Sequence, residues 1–304
     1  MPLSLFQLLG PVIDREVNFI ASRQQISVEE VYELLIDEAE RNQSEWFSNT
    51  IPNLNYESPC CRLAYLYIVA AANAAIFQHV LESDEALRSY ILQVAEARCA
   101  IRICAFGAGP GTELLGIAKF FETLNLGYSV GVDFQLLDKV MEWQNSWYGI
   151  RDEIINAFLS AYGNNRSNWP MIPSGNFVAC DVTEIDRLPN LGNVWNQDIY
   201  VMNFLLSEIF INHPGLRAFL TEIVRFAPTG ARFILIERRG PMWQRNMKAI
   251  AADSGLQLSD FIESQRGFLE GENPEDLGSI FEAIGERKMP RLSWNIVYSI
   301  GVKI

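Results

Sequence analysis

Histidine is almost missing from this 304-residue chain: His79 and His213 are the only two. A zinc site built from nitrogen and sulfur ligands would have to lean on cysteine, and Cys60, Cys61, Cys99, Cys104 and Cys180 contain no C-x-x-C pair. No metal is expected. An odd set of thiols, in a chain long enough to bury its own core, is not a disulfide framework either, and the expectation is a reducing, intracellular and cytoplasmic setting. Positive charge is short as well, with 24 Lys and Arg against 37 Asp and Glu, a formal charge of −13. A phosphate backbone meets net repulsion, so nucleic acid is disfavoured as a partner unless a local basic face supplies cations. Long apolar runs are also lacking. The most apolar stretch, residues 63–77, falls short of the roughly 20 residues that a membrane span needs and includes Tyr65, Tyr67 and Asn73. The apolar N-terminus has no basic residues ahead of it and is interrupted by Gly10, Pro11 and Asp14, so neither a secretion signal nor a membrane is expected.

What is present has the balance of a folded protein, 49% apolar and 20% charged. Residues 27–42, SVEEVYELLIDEAERN, put Val31, Leu34, Leu35 and Ala39 on one helix face, with Ser27 and Glu30 in capping-box spacing. After Pro52 and Pro59 comes CRLAYLYIVAAANAAIFQHVL, too long and alanine-rich for a strand, then SDEALRSYILQVAEAR with Ser83 or Asp84 as its cap. Residues 1–98 therefore read as a helical section. At Ala100 the pattern changes to strands alternating with helices: AIRICAF, YSVGVDF, NFVACDV, DIYVMN, ARFILIERR and NIVYSIGVKI are strands, with helical segments between them, the second beginning LLDKVMEW. That alternation predicts an α/β fold, a doubly wound and mostly parallel Rossmann-like sheet over residues 99–304.

The first strand ends in Phe106-Gly107-Ala108-Gly109-Pro110-Gly111, where an open α/β sheet binds ligands beyond its strand ends. Three glycines let backbone approach a ligand closely. A dinucleotide fingerprint needs a small residue where this chain has Thr112, and no G-K-[ST] follows to cradle a triphosphate. Asp133, at the end of YSVGVDF, is placed to accept hydrogen bonds from two ribose hydroxyls. Asp181, at the end of NFVACDV and followed by Val182, can accept from an exocyclic amine. Each acid can equally be a turn or helix cap.

In the order and spacing of these pieces the sequence resembles the class I S-adenosylmethionine-dependent methyltransferases: FGAGPGTE resembles their first motif, VGVDF the ribose acid, ACDV the adenine-binding pair and DIYVMNFLLSEI the fourth motif. The resemblance covers residues 99–304. It implies S-adenosyl-L-methionine as cofactor, held by Phe106, Gly107, Ala108, Gly109, Gly111, Glu113, Asp133, Phe134, Asp181, Val182, Asn203 and Phe204. It puts an unidentified methyl acceptor near Asn203 and Glu208 as the catalytic candidates. Glu208 is either a proton acceptor or a solvated helix residue. Where the family often has an acid two residues before the first glycine, this chain has Ala105, which leaves the methionine ammonium to Glu113 or to fourth-strand carbonyls. The helical section is expected to cover part of the cleft and help select the acceptor. Arg238 and Arg239 close the fifth strand and can hold an acidic substrate by forked hydrogen bonds, or simply form a basic surface. Trp143, Trp147, Tyr148 and Trp169 can roof a ligand or pack in the core. An NAD-dependent oxidoreductase and an inactive methyltransferase-like scaffold are the alternative readings.

Overall fold

The computed structural model describes residues 3–46, 54–184, 192–209 and 214–304; Pro52 and His213 lie outside them. The helical section opens with α1 (Leu5–Gln24), capped by Ser4, and α2 (Val28–Trp46). The capping box at the start of α2 is formed in both directions: Glu30 N–H donates to Ser27 Oγ at 3.1 Å, and Ser27 N–H to Glu30 Oε2 at 2.7 Å. Residues 61–81, expected as one helix, are two. α3 (Pro59–Ile68) and α4 (Ala70–Ser83) meet at Val69 with a bend of 51°. The bend serves packing, because α3 lies on α2 while α4 lies on a helix of the sheet domain. No single helix among the described residues is long and apolar enough to cross a membrane. α5 (Glu85–Arg98) starts at Asp84, whose Oδ1 accepts from Leu87 N–H at 2.8 Å.

The sheet domain follows the predicted alternation. β1 (Ala100–Phe106) leads into α6 (Thr112–Leu124), β2 (Val130–Asp138) into α7 (Trp143–Tyr162), and β3 (Met171–Ala179) follows. Next come β4 (Ile199–Asn203), the single turn α8 (Leu205–Glu208), α9 (Pro214–Phe226), β5 (Arg232–Arg238) and α10 (Pro241–Ser254). β6 (Gln257–Leu258), β7 (Ile262–Arg266), α11 (Ser279–Ile284) and β8 (Trp294–Val302) complete the chain. The strand order is β3-β2-β1-β4-β5-β8-β6, with β7 also on β8. β1 to β5 are parallel, and β8 runs antiparallel to β5, β6 and β7.

Two strand ends differ from the sequence reading. β2 does not stop at Phe134 but runs on through Gln135, Leu136 and Leu137 to Asp138, in register with all seven residues of β1. The segment LLDKV, expected at the head of a helix, is therefore strand and turn. β3 begins at Met171 and ends at Ala179, before Asp181.

One apolar core lies between the sheet and α6, α7, α1, α3 and α4; the other lies under α8, α9 and α10 on the opposite face. The helical section thus shares a core with the sheet domain. The two approach closely at Gly116 of α6, where an added Cβ would lie 2.5 Å from the Ala74 carbonyl oxygen of α4.

Candidate active site

The carboxyl-terminal ends of β1, β2, β4 and β5, with the segment after β3, border one cavity of about 530 Å³. α3 and α4 close its far side with Tyr65, Val69 and Asn73. It lies where the strand order reverses, between β1 and β4, the crevice that an open α/β sheet leaves outside its strand ends.

The glycine turn after β1 is built from left-handed backbone. Gly107, Gly109 and Gly111 have φ of 59°, 51° and 79°, conformations that side chains resist. They serve different ends. A Cβ on Gly111 would run into the Trp147 ring and one on Gly107 into Leu205, so these two allow packing. At Gly109 the nearest atom to an added Cβ belongs to Trp143, 3.9 Å away, so this position opens on the cavity.

Asp138 ends β2 at the cavity wall. Its Oδ2 accepts from Gly109 N–H and its Oδ1 from Val140 N–H, both at 2.8 Å, tying the second strand end to the glycine turn. Burial raises its pKa against the opposing pull of those two hydrogen bonds. Asp181 lines the cavity beside Val182, and its Oδ1 accepts from Thr183 N–H at 2.9 Å and from Thr183 Oγ1 at 2.6 Å.

At the end of β4, Asn203 donates through Nδ2 to Glu113 Oε1 at 3.2 Å. Asn203 Oδ1 and Glu113 Oε2 are buried without a hydrogen-bond partner, and desolvation raises the Glu113 pKa to about 7. Phe204 then takes φ 60°, a left-handed conformation rare for an aromatic residue, and its N–H donates to the Ile236 carbonyl at 2.9 Å. This strained turn starts α8 directly above the sheet and carries Glu208 to the cavity. Glu208 is exposed where it lines the cavity, and desolvation of its carboxyl raises its pKa to about 7. Tyr56 donates to Glu208 Oε1 at 3.3 Å. Beneath it Glu237, 1% exposed, accepts from Ser207 N–H at 3.0 Å and anchors α8; desolvation raises its pKa to about 8.

Tyr56, Tyr65 and Trp143 form an aromatic wall, with ring centroids 5.4 to 5.8 Å apart. Asn73 supports it by donating to Tyr65 Oη at 2.8 Å. Arg238, Arg239, Arg291 and Asn295 border the β5 side of the cavity.

Of the residues predicted from sequence, Gly107, Gly109, Asp181, Val182, Asn203, Phe204 and Glu208 meet at this cavity. Phe106 does not line it; its ring stacks on Tyr200 and meets Phe219 edge-on in the core. Phe134 is fully buried, Ala108 is tied back through its N–H to the Leu137 carbonyl, and Gly111 packs on Trp147. Glu113 reaches the cavity only through Asn203. Asp133 lies mid-strand and accepts from Ser174 Oγ at 3.0 Å, so the second strand end belongs to Asp138. The sequence reading missed Asp138, Tyr56, Tyr65, Asn73 and Arg291. Only Asp138 had a usable signal: the segment FQLL between the two acids, apolar but for Gln135, continues the strand.

No family model and no curated relative matches the chain. Solved structures similar to it include an O-methyltransferase family protein from Burkholderia thailandensis, 13% identical over 90% of this chain and 70% of that one, with a TM-score of 0.44. An S-adenosylmethionine-dependent methyltransferase from Methanosarcina mazei is 12% identical over 68% of this chain and 94% of that one, with a TM-score of 0.39. An arsenic(III) S-adenosylmethionine methyltransferase from Chlamydomonas reinhardtii is 15% identical over 67% of this chain and 64% of that one, under two thirds of its length, with a TM-score of 0.36. These likenesses concern the layout of sheet and helices alone.

Proposed function

We propose that the chain is an S-adenosylmethionine-dependent methyltransferase with its reaction centre between Asn203, Glu208 and the aromatic wall. The observation that carries this reading is the convergence of the glycine turn, Asp138, Asp181 and Asn203 on one crevice at the switch point of the sheet. A dinucleotide fold continues beyond its fifth strand with a parallel sixth, whereas here antiparallel β8 takes that place, and Thr112 occupies the position of the small third residue of the dinucleotide turn.

The residues present fit the cofactor. Gly109 keeps clear the space that a Cβ would take, Asp138 and Asp181 offer carboxylate oxygens to hydroxyl and amine donors, and Asn203 brings an amide to the adjoining strand end. Bound here, S-adenosylmethionine supplies a methyl group on a positively charged sulfur. The Tyr56, Tyr65 and Trp143 rings suit a cation through their electron-rich faces. Positioning carries most of the catalysis in such a displacement and can recover about 7 to 11 kcal/mol of the barrier. Asn203, fixed by Glu113, orients the reactants. Glu208 would accept the proton that an acceptor hydroxyl gives up on receiving the methyl group that S-adenosylmethionine would supply. A carboxyl with a pKa raised to about 7 is a stronger base than an ordinary glutamate and is ionised above neutrality.

Thermal unfolding with saturating S-adenosylmethionine, S-adenosylhomocysteine and NADH tests the reading. The adenosyl compounds raise the melting temperature, with about 2.7 kcal/mol of stabilisation at a hundredfold excess over Kd, and NADH leaves it unmoved. A shift with NADH alone overturns the proposal.

A further inference from the structure

Asn203, the last residue of β4, and Glu113, in the first turn of α6, form a side-chain pair in which a donor is missing. Asn203 donates through Nδ2 to Glu113 Oε1 at 3.2 Å, while the second oxygen of each partner, Asn203 Oδ1 and Glu113 Oε2, is buried with no hydrogen-bond partner. Such an oxygen has given up the water it met in the unfolded chain and gained nothing in return. An ionised carboxylate only accepts, so it offers Asn203 Oδ1 no donor. A protonated carboxyl carries an O–H. Facing a primary amide, it exchanges two hydrogen bonds: the amide N–H goes to one carboxyl oxygen and the carboxyl O–H to the amide oxygen. A single proton then serves both of the orphaned atoms.

The surroundings favour the neutral acid. Glu113 is 3% exposed, and desolvation raises its pKa to about 7, with the charge of Asp138 of β2 adding to the rise. Tyr65 of α3 is another titratable group beside it, and Glu113 opposes the ionisation of that phenol. α4 meets α6 around Gly116 with Ala74, Phe77 and Gln78, and α7 brings Trp147 to Gly111, none of them charged. Along α6 itself Lys119 is paired with Glu272, and Glu122 accepts from Leu3 N–H at 2.7 Å. We infer that Glu113 is a positioning residue that works as a neutral acid, giving its O–H to Asn203 Oδ1 and so fixing the Asn203 amide at the cavity wall. Loss of the proton sets a carboxylate oxygen against the amide oxygen, and the amide turns away. This deepens the methyltransferase reading, on which its effect on cofactor binding rests.

NMR titration of the full chain without ligand reads the pair directly. The Glu113 carboxyl carbon and the Asn203 side-chain amide move together, with a midpoint of about 7. A Glu113 midpoint below about 5, in the ordinary glutamate range, or an Asn203 amide that does not follow it, overturns the inference. Calorimetry with S-adenosylhomocysteine reads the consequence. Glu113→Gln puts an amide N–H where the carboxyl proton was, so at about pH 6 it binds like the parent. At about pH 8 roughly a tenth of the parent keeps the proton, and it binds about tenfold more weakly than Glu113→Gln. Ligand titration is common to both proteins, so their ratio isolates Glu113. Glu113→Ala leaves the amide unfixed and binds about tenfold more weakly than the parent at about pH 6. Equal affinities of parent and Glu113→Gln at both pH values, or a folded Glu113→Ala that binds like the parent, overturns the inference. If S-adenosylhomocysteine binds to none of these proteins, the methyltransferase reading falls, while the ligand-free titration still decides the protonated pair. The same titration, on the parent alone, decides it should Glu113→Gln fail to fold.

Discussion

Asp133 and Asp138 stand on one strand, and only the second reaches the cavity. If Asp138 receives the ribose hydroxyls, Asp138→Ala loses two charge-assisted hydrogen bonds of about 1.5 to 3 kcal/mol each, a loss in S-adenosylhomocysteine affinity of about a hundredfold or more. Asp138→Asn retains one acceptor and the shape, so it loses less; Asp133→Ala binds like the parent. Melting curves must accompany the titrations because Asp138 also fixes Gly109 and Val140. Sequence favoured Asp133 because a polar residue after alternating apolar ones looks like a strand end, and what carries the strand on to Asp138 is pairing with β1 as far as Leu137 and with β3 at Asp138 itself, a property of several segments together. Glu208 gives a second residue-scale prediction. Its carboxyl must be ionised to accept a proton, so kcat rises with pH through about 7 and levels above it. Glu208→Gln loses about 10²- to 10⁴-fold in kcat, loses that inflection, and keeps S-adenosylhomocysteine affinity.

Among the elements, α8 depends on its support from β5. Glu237 holds the backbone of this one-turn helix, and its folded pKa of about 8 lies above the ordinary 4.5. The folded state therefore keeps a proton that the unfolded chain releases, so this group's contribution is intact below about pH 4.5 and is lost as pH rises through about 8. Glu237→Gln keeps an acceptor for Ser207 N–H without the buried charge. It melts above the parent at pH 8 and like the parent near pH 4.5, and parallel curves at both pH values would contradict the assignment. The contact between α4 and α6 gives the other element-scale prediction. Gly116→Val drives a side chain into backbone that cannot yield, costing about 1 to 3 kcal/mol or more in denaturant unfolding, whereas an unchanged midpoint would show a slack contact. The helices with one apolar face and a local cap, α2 and α5, were readable from sequence. The break at Val69 was not, since α3 and α4 are apolar on most sides and their separation is set by two different packing partners. β7 was hidden for the opposite reason: as an edge strand with largely exposed side chains it shows no alternation.

For the whole molecule, the alternation of strands and helices over residues 100–304 was enough to predict a doubly wound, mostly parallel sheet and the end of it at which the cavity lies. The far wall of the site was beyond that reasoning. Tyr56, Tyr65 and Asn73 come from the helical section and Arg291 from the loop before β8, and no local spacing records that these segments close over the strand ends. The central claim is that this shared cleft is a cofactor site built on the glycine turn and Asp138. Titration of S-adenosylhomocysteine into the folded parent, Gly109→Val, Asp138→Ala and Asp133→Ala proteins tests it most directly. The account predicts binding to the parent and to Asp133→Ala with equal affinity, and weak or no binding to the other two, because a branched side chain at Gly109 enters the cavity. Binding that survives in Gly109→Val and Asp138→Ala but is lost in Asp133→Ala would contradict it.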